Sequence, residues 1–437
     1  MTNRVLEQYE KGQLILDGTL GHLTTKESAL LQIFWRKLLE AFTADASELK
    51  HAPAAPADAA KSTSKRSDRA QSSAAPSEKS TSSASSWFGF GAGASKSEAE
   101  SYRQTVKQVA PQGSCPPEFA AQERARTIRD AFWAATLCDH PDVLLLRFLR
   151  ARKWKVDDAL TMLLACLRWR LDEEIDWAIW NGEAELNYAL LQRGIGAIHK
   201  TDRLGQPILY IPVKMNDPSA QPAEQIIDYT VYLMEVARIM LHPPAEKVCL
   251  VFDTTDMSMS NMDWSFFKTF LHYLEHYYPE CLGLVLIYNA SWVFNSLWKL
   301  VCPLLDPVVA SKVHFVQSAA DLQKFIAPEN LLVEYGGKNQ YKYEYVLPRK
   351  GENQRMSDDK ARKAAMAERQ AACNAFEEVT RKWANAEAAT NSQALADERA
   401  KAADSLVAAS KAQDRFVRAR TLYHRTGVID DDLHIHW

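Results

Sequence analysis

Residues 282–316 read LGLVLIYNASWVFNSLWKLVCPLLDPVVASKVHFV. LGLVLIYNA and KVHFV are short runs rich in β-branched and aromatic residues, and the stretch from Trp292 between them is helical in character. A strand, a helix and a second strand in that order make a crossover, so the two strands lie parallel. Upstream, PILYIPV (207–213) and KVCLVFDTTD (247–256) repeat the pattern, separated by amphipathic stretches beginning near Glu224 and Trp264. Residues 191–340 therefore form an α/β unit built on a mainly parallel sheet.

The helix opening at Trp292 poses the functional question. Over 292–305 only Asn295, Ser296 and Lys299 are strongly polar, so the helix is apolar around nearly its whole circumference yet too short to cross a bilayer. It must be covered on almost every side. A solid core satisfies that; so does a helix with one face on a lipid-filled cavity and another that meets a membrane when the cavity opens. Periodicity alone leaves both readings standing.

Flanking segments are of three kinds. Residues 111–190 are helical: VLLLRFLRARKWKVDDALTMLLACLRWR (143–170) carries apolar residues at three- and four-residue steps, with Asp157 and Asp158 opening a new helix after a break at RKWKV. Within 1–45, Thr24 and Glu27 have capping-box spacing before Leu30, Leu31, Phe34, Trp35, Leu38, Leu39 and Phe42, a stripe that needs a partner. Residues 46–110 collapse into Ala, Ser and Pro, with thirteen serines between 61 and 97, and read as a disordered linker. The cluster Trp87-Phe88-Gly89-Phe90 inside it is either weakly packed linker or a docking point, and Gly89-x-Gly91-x-x-Ala94 lacks the strand and helix that a dinucleotide fingerprint requires. Residues 341–437 form a helical extension, in which Met366, Cys373, Phe376 and Trp383 make an a/d seam.

Composition narrows the function. The 437 residues are 47% hydrophobic and 24% charged with a net charge of -3, which excludes wholesale disorder and argues against a nucleic-acid partner. Seven cysteines with no C-x-x-C pair suit a reducing compartment. The first ten residues carry charges with no apolar h-region, so a cytoplasmic protein with peripheral contact at membranes or lipid droplets is expected. One enzyme-like motif exists: His272-x-x-Glu275-His276 has the letters of an inverted zinc-peptidase site, for which Glu334 or Glu344 would have to supply a third ligand. The same histidines, or tyrosines near 273–278, are the candidates for a haem. Neither is the favoured reading; the chain is expected to be non-enzymatic, with no metal or cofactor.

Five motifs in series carry a resemblance. LLLRFLRARKWKVDDA (144–159), HKTDRLGQPILY (199–210), HYYPECLGLVLIYNASWVF (276–294), LLDPVVASKVHFV (304–316) and ENLLVEYGGKNQ (329–340) resemble, in order and spacing, the fungal phosphatidylinositol transfer proteins of the CRAL-TRIO family. The segment near 25–43 and the helical tail resemble its squalene-binding, Csr-type branch. The resemblance implies a CRAL-TRIO lipid-binding fold: a helical N-terminal subdomain, a sheet flooring an apolar pocket, and a gate helix. The gate would include Trp292, Phe294, Leu297, Trp298 and Val301.

The resemblance also implies roles for single residues. Lys312 would meet a lipid phosphate, and Arg152, Lys153, Asp202 and Glu280 would surround the inositol. Cations do neutralise phosphates, and carboxylates accept hydrogen bonds from a polyol. This chain departs from the family at Val309, Cys281 and Gln206, so a looser phosphate grip is expected. Ile198, Leu209, Val248 and Leu250 stand at the family's phosphatidylcholine headgroup positions and offer no side-chain hydrogen bond. The expected partners are phosphatidylinositol, an apolar lipid such as squalene or a sterol in place of phosphatidylcholine, transient membrane surfaces, and lipid kinases to which a lipid is presented.

Overall fold

The computed structural model describes residues 4–44, 100–102, 104–105, 127–290, 292–386 and 393–437. The Trp87–Phe90 cluster and the Gly89 motif lie outside the described residues. Tyr102 falls inside the span read as linker, yet it is buried, stacks on Tyr188 at 4.5 Å and donates to the Glu183 carbonyl.

Among the described residues, the α-helices α1 (Arg4–Lys11), α2 (Thr25–Ala41), α3 (Ile128–Thr136), α4 (Pro141–Ala151), α5 (Val156–Asp172), α6 (Ile175–Asn181) and α7 (Tyr188–Arg193) precede the sheet. Strands and crossovers then alternate as β1 (Ala197–Thr201), β2 (Pro207–Pro212), α8 (Ala223–Ile239), β3 (Val248–Asp253), α9 (Trp264–His276), β4 (Leu282–Tyr288), α10 (Trp292–Val301), α11 (Pro307–Ala310) and β5 (Val313–Val316). After the short α12 (Ala319–Leu322) come α13 (Asp359–Asn385), α14 (Gln393–Val417) and α15 (Leu422–Arg425).

The strands stand side by side in chain order. β1 pairs antiparallel with β2, and every later pair is parallel, as helical crossovers require. Side chains alternate between the two faces. Ile208, Tyr210, Cys249, Val251, Leu284 and Leu286 pack into a core with Val5 of α1, Phe325, Ile326 and Leu331. The opposite face, carrying Leu209, Leu250 and Val285, looks toward α8, α9 and α10.

The stripe of α2 finds its partner far along the chain. Thr24 and Glu27 close the capping box, and Leu31, Phe34, Trp35 and Leu38 are buried among Phe132, Leu145, Leu163 and Phe376. Cys373, Phe376 and Trp383 of the seam lie in the same core. At its centre Asp142, opening α4, accepts from Trp35 Nε1 at 2.7 Å and from both arms of the Arg399 guanidinium at 2.6 Å. One carboxylate thus joins α2, α4 and α14.

Burial alone would raise the Asp142 carboxyl, but Arg399 outweighs it and holds the group down to about 2. A depressed folded value contributes stability that is complete above the unfolded value, about 3.9, and is lost as pH falls through the folded one. Asp142→Asn should therefore cost about 2 kcal/mol near neutrality. That deficit should shrink between about pH 4 and pH 2, which urea unfolding of both proteins across the range would measure.

Candidate functional site

Between the sheet and its crossover helices lies a cavity of about 240 Å³. Two other hollows hold about 20 Å³ each, roughly the room for one water. The floor of the large one is the period-two row Leu209, Ile211, Leu250, Phe252, Val285 and Ile287; α8 adds Ile226 and Leu233, and α10 adds Phe294, Trp298 and Val301. Ile198, Leu209, Val248 and Leu250 all line it. The Trp292 and Leu297 side chains lie outside what the structure describes.

Helix α9 decides between a solid core and a cavity. A core helix buries its apolar stripe; α9 buries Thr269 and Tyr273 and leaves Phe266, Phe267, Phe270, Leu271 and Leu274 half-buried, all five lining the hollow. Helix α10 closes the other side. Its Phe294 and Trp298 rings lie nearly parallel, and both meet Phe315 edge-on at 6.1 and 5.4 Å. Leu300, two residues on, is 62% exposed, and Val308 of α11 is 52% exposed. The segment is thus apolar toward both the hollow and the outside, which accounts for its composition without a surrounding core.

A charged row runs along one edge of the same sheet. Because β2 to β5 are adjacent and parallel, the residues entering them share an edge: Gln206, Lys247, Glu280 with Cys281, and Lys312. Lys247 pairs with Glu280 at 3.5 Å. Burial raises the Glu280 carboxyl, but Lys312, Lys247 and Arg150 together bring it below its ordinary value. Lys312 is 7% exposed, and burial lowers its ammonium, with Glu280 restoring part of the loss. Among the residues that directly enter β3, β4 and β5, Lys247 and Lys312 flank the single carboxylate of Glu280, a local surplus of positive charge that suits an anion.

The sequence-derived set divides here. Glu280 and Lys312 come together. The basic stretch contributes Arg150, which pairs with Glu246 at 2.9 Å, and not the expected pair: Arg152 lies near Glu275, whose carboxyl burial raises and Arg152 offsets only in small part, and Lys153 is exposed in the turn with a φ of 51°. Asp202 stands at the β2 end of the row, turned inward to the β1–β2 turn. It accepts from the Leu204 and Gln206 amides at 2.8 and 2.9 Å, from Gln206 Nε2 at 2.9 Å, and from the Tyr9 hydroxyl at 2.5 Å. The Gln206 carboxamide oxygen crosses to β4, where a Cβ on Gly283 would lie 1.8 Å from it. Sequence reasoning missed Tyr9, Arg150 and Lys247.

The zinc reading does not assemble. The His272 and His276 rings stack at 4.3 Å, but His272 Nε2 lies 3.4 Å from the Tyr277 hydroxyl and His276 Nδ1 lies 3.1 Å from the His272 carbonyl. Among the described residues no group of three His, Cys, Asp or Glu side chains has metal-ligand geometry. No described helix is long and apolar enough to cross a membrane.

Comparison with known proteins agrees with this architecture. The CRAL/TRIO domain model matches residues 191–337, and the CRAL/TRIO N-terminal domain model matches 96–165. A CRAL-TRIO domain-containing protein of Schizosaccharomyces pombe, C3H8.02, is 38% identical over 319 residues, 71% of each chain. The phosphatidylinositol transfer protein CSR1 of Eremothecium gossypii is 33% identical over 307 residues, 68% of this chain and 70% of its own. The crystal structure of Sfh5 aligns with 47% of this chain and 77% of its own at 17% identity and a TM-score of 0.41. With both domain models matched in order and two relatives of this similarity, the chain belongs to the CRAL-TRIO family of lipid-binding and transfer proteins.

Proposed function

We propose that the protein carries one lipid at a time between membranes, taking phosphatidylinositol or a more apolar lipid of the squalene or sterol kind, and not phosphatidylcholine. The observation that supports this most directly is the cavity beside the charged row. Extraction is feasible because the hollow replaces the bilayer as an apolar solvent, sparing about 0.8 kcal/mol for each CH₂ otherwise wetted. Acyl chains are common to all phospholipids, so selection falls to the polar groups at the edge. Lys312 with Glu280 suits a phosphate beside a polyol. Ile198, Leu209, Val248 and Leu250 leave a buried choline phosphate without partners. Exposed Leu300 and Val308 on the roof suit transient contact with a membrane or lipid droplet, where the lipid can also be presented to a kinase.

Lipids extracted from the purified full-length protein and identified by mass spectrometry test the ligand set. Phosphatidylcholine as the main species would refute it. Lys312→Ala should lower phosphatidylinositol transfer between vesicles about tenfold, the worth of one charge-assisted hydrogen bond, with squalene loading nearly unchanged. Equal loss of both would make Lys312 a structural residue. A lipid-sensing scaffold that transfers nothing would show no vesicle-to-vesicle movement at all.

A further inference from the structure

Asp202 has no acceptor capacity left. An ionised carboxylate offers about four lone-pair sites, and the Leu204 amide, the Gln206 amide, Gln206 Nε2 and the Tyr9 hydroxyl take them. Three of those donors belong to the turn that Asp202 itself closes. The fourth arrives from 193 residues away, on α1.

Helix α1 is lightly held. It has eight residues, well below the length at which an isolated helix is stable, and Val5 is its buried apolar anchor. Tyr9 meets Phe325 edge-on at 5.0 Å and also accepts from Gln206 Nε2 at 2.9 Å. The chain that follows reaches Arg150, which pairs with Glu246 beside the β3 entry of the row: the Gly18 carbonyl accepts from Arg150 at 2.7 Å, and a Cβ on Gly18 would lie 2.9 Å from the Trp154 ring. Residues 4–18 thus strap the row from Asp202 to Arg150. They do so on the face of the sheet away from the cavity, where Val5 packs with Ile208, Cys249 and Leu284.

We propose that Tyr9 determines ligand specificity: its phenol occupies, from within the chain, the acceptor on Asp202 that an inositol hydroxyl would use, so a polyol headgroup loads only when α1 lifts. This rests on the reading of the charged row as a headgroup site. A lipid without a polar headgroup fills the cavity on the other face and never meets the strap. The N-terminal segment therefore favours the apolar ligand over phosphatidylinositol.

The test uses the full-length chain and two probes, labelled phosphatidylinositol moved between phosphatidylcholine vesicles and squalene loading. Tyr9→Phe keeps the ring against Phe325 and removes the hydroxyl; it should raise phosphatidylinositol transfer about tenfold, the equivalent of 1.4 kcal/mol, and leave squalene loading unchanged. Val5→Asp, which unseats α1 by another route, should act in the same direction. In the wild type, amide exchange over residues 4–11 should quicken with phosphatidylinositol vesicles relative to phosphatidylcholine alone. If Lys312→Ala impairs phosphatidylinositol transfer while Tyr9→Phe and the exchange rates do not change, the strap proposal is overturned and the headgroup reading survives. If Lys312→Ala is also without effect, the headgroup reading falls. A Tyr9→Phe protein that transfers less phosphatidylinositol would make Tyr9 a ligand contact and overturn the competition.

Discussion

Replacing Phe270 with aspartate is expected to yield a folded protein that carries no lipid. An enclosed core phenylalanine costs about 3–5 kcal/mol when truncated. Phe270 is only half-buried, because one side of its ring borders the hollow and its aromatic neighbour on the helix, Phe266, lies 6.2 Å away. The empty protein should tolerate its loss, since water can enter the hollow and solvate a carboxylate there. A loaded protein has no such remedy. A hydrocarbon chain would lie against an unpaired charge, and an uncompensated buried charge costs several kcal/mol, so loading should fall more than about a hundredfold. Mass spectrometry of co-purified lipid, with circular dichroism to confirm folding, reads both halves. Phe270→Leu is the control, expected to load normally. A folded Phe270→Asp protein with the wild-type lipid complement would mean that the lipid sits elsewhere.

The fold was legible where periodicity and caps are local. Helices expected near Glu224, Trp264 and Trp292 begin at Ala223, Trp264 and Trp292, and the four expected β-runs are β2 to β5. Strand β1 was not anticipated. Three of its five residues, His199, Lys200 and Thr201, are polar and consecutive, its pairing with β2 slips between Ile198 and Thr201, and Lys200 has a φ of 56°, so no clean alternation marks it. The site was legible in part for related reasons. Lys312 and Glu280 stand just before strands, and parallel pairing alone brings them to one edge. Arg150 and Arg152 stand two residues apart in LLLRFLRARKWKVDDA, but Arg150 is the next-to-last residue of α4 and Arg152 is the non-helical residue that caps it, and they meet different carboxylates, Glu246 and Glu275. Only the packing of α4 tells which one reaches the row. Tyr9 left no trace in sequence, because its role depends on a contact across 193 residues and α1 is mostly polar. The choice between a solid core and a hollow was equally out of reach, as both produce the same apolar pattern. The half-buried aromatic face of α9 separates them.

Glu183→Ala is expected to detach the C-terminal extension from the lipid-binding body and to cost about 3–5 kcal/mol, the price of leaving a buried charge unpaired. Glu183 is 2% exposed and binds Arg425 of α15. It also accepts from the Tyr232 hydroxyl at 2.5 Å, the Tyr345 hydroxyl at 2.7 Å and the Leu422 amide at 2.5 Å. Removing the carboxylate orphans four donors at once. Glu352, 3.1 Å from Arg425, offsets part of the loss, which favours the lower end of the range. The effect should reach the cavity. Tyr232 lies on α8 beside Leu233, which lines the hollow, and the Tyr423 hydroxyl of α15 accepts from the amide of Ile198, another lining residue. If the extension braces this wall, thermal unfolding of Glu183→Ala should begin about 3–5 °C below wild type, and amide exchange should quicken at Ile198 and along residues 422–437. Glu183→Gln keeps an acceptor for the tyrosines without the charge, so it should fall between the two. Unfolding of Glu183→Ala within about 1 °C of wild type, a change of about 1 kcal/mol at most, would show that the extension is not coupled to the body through this carboxylate.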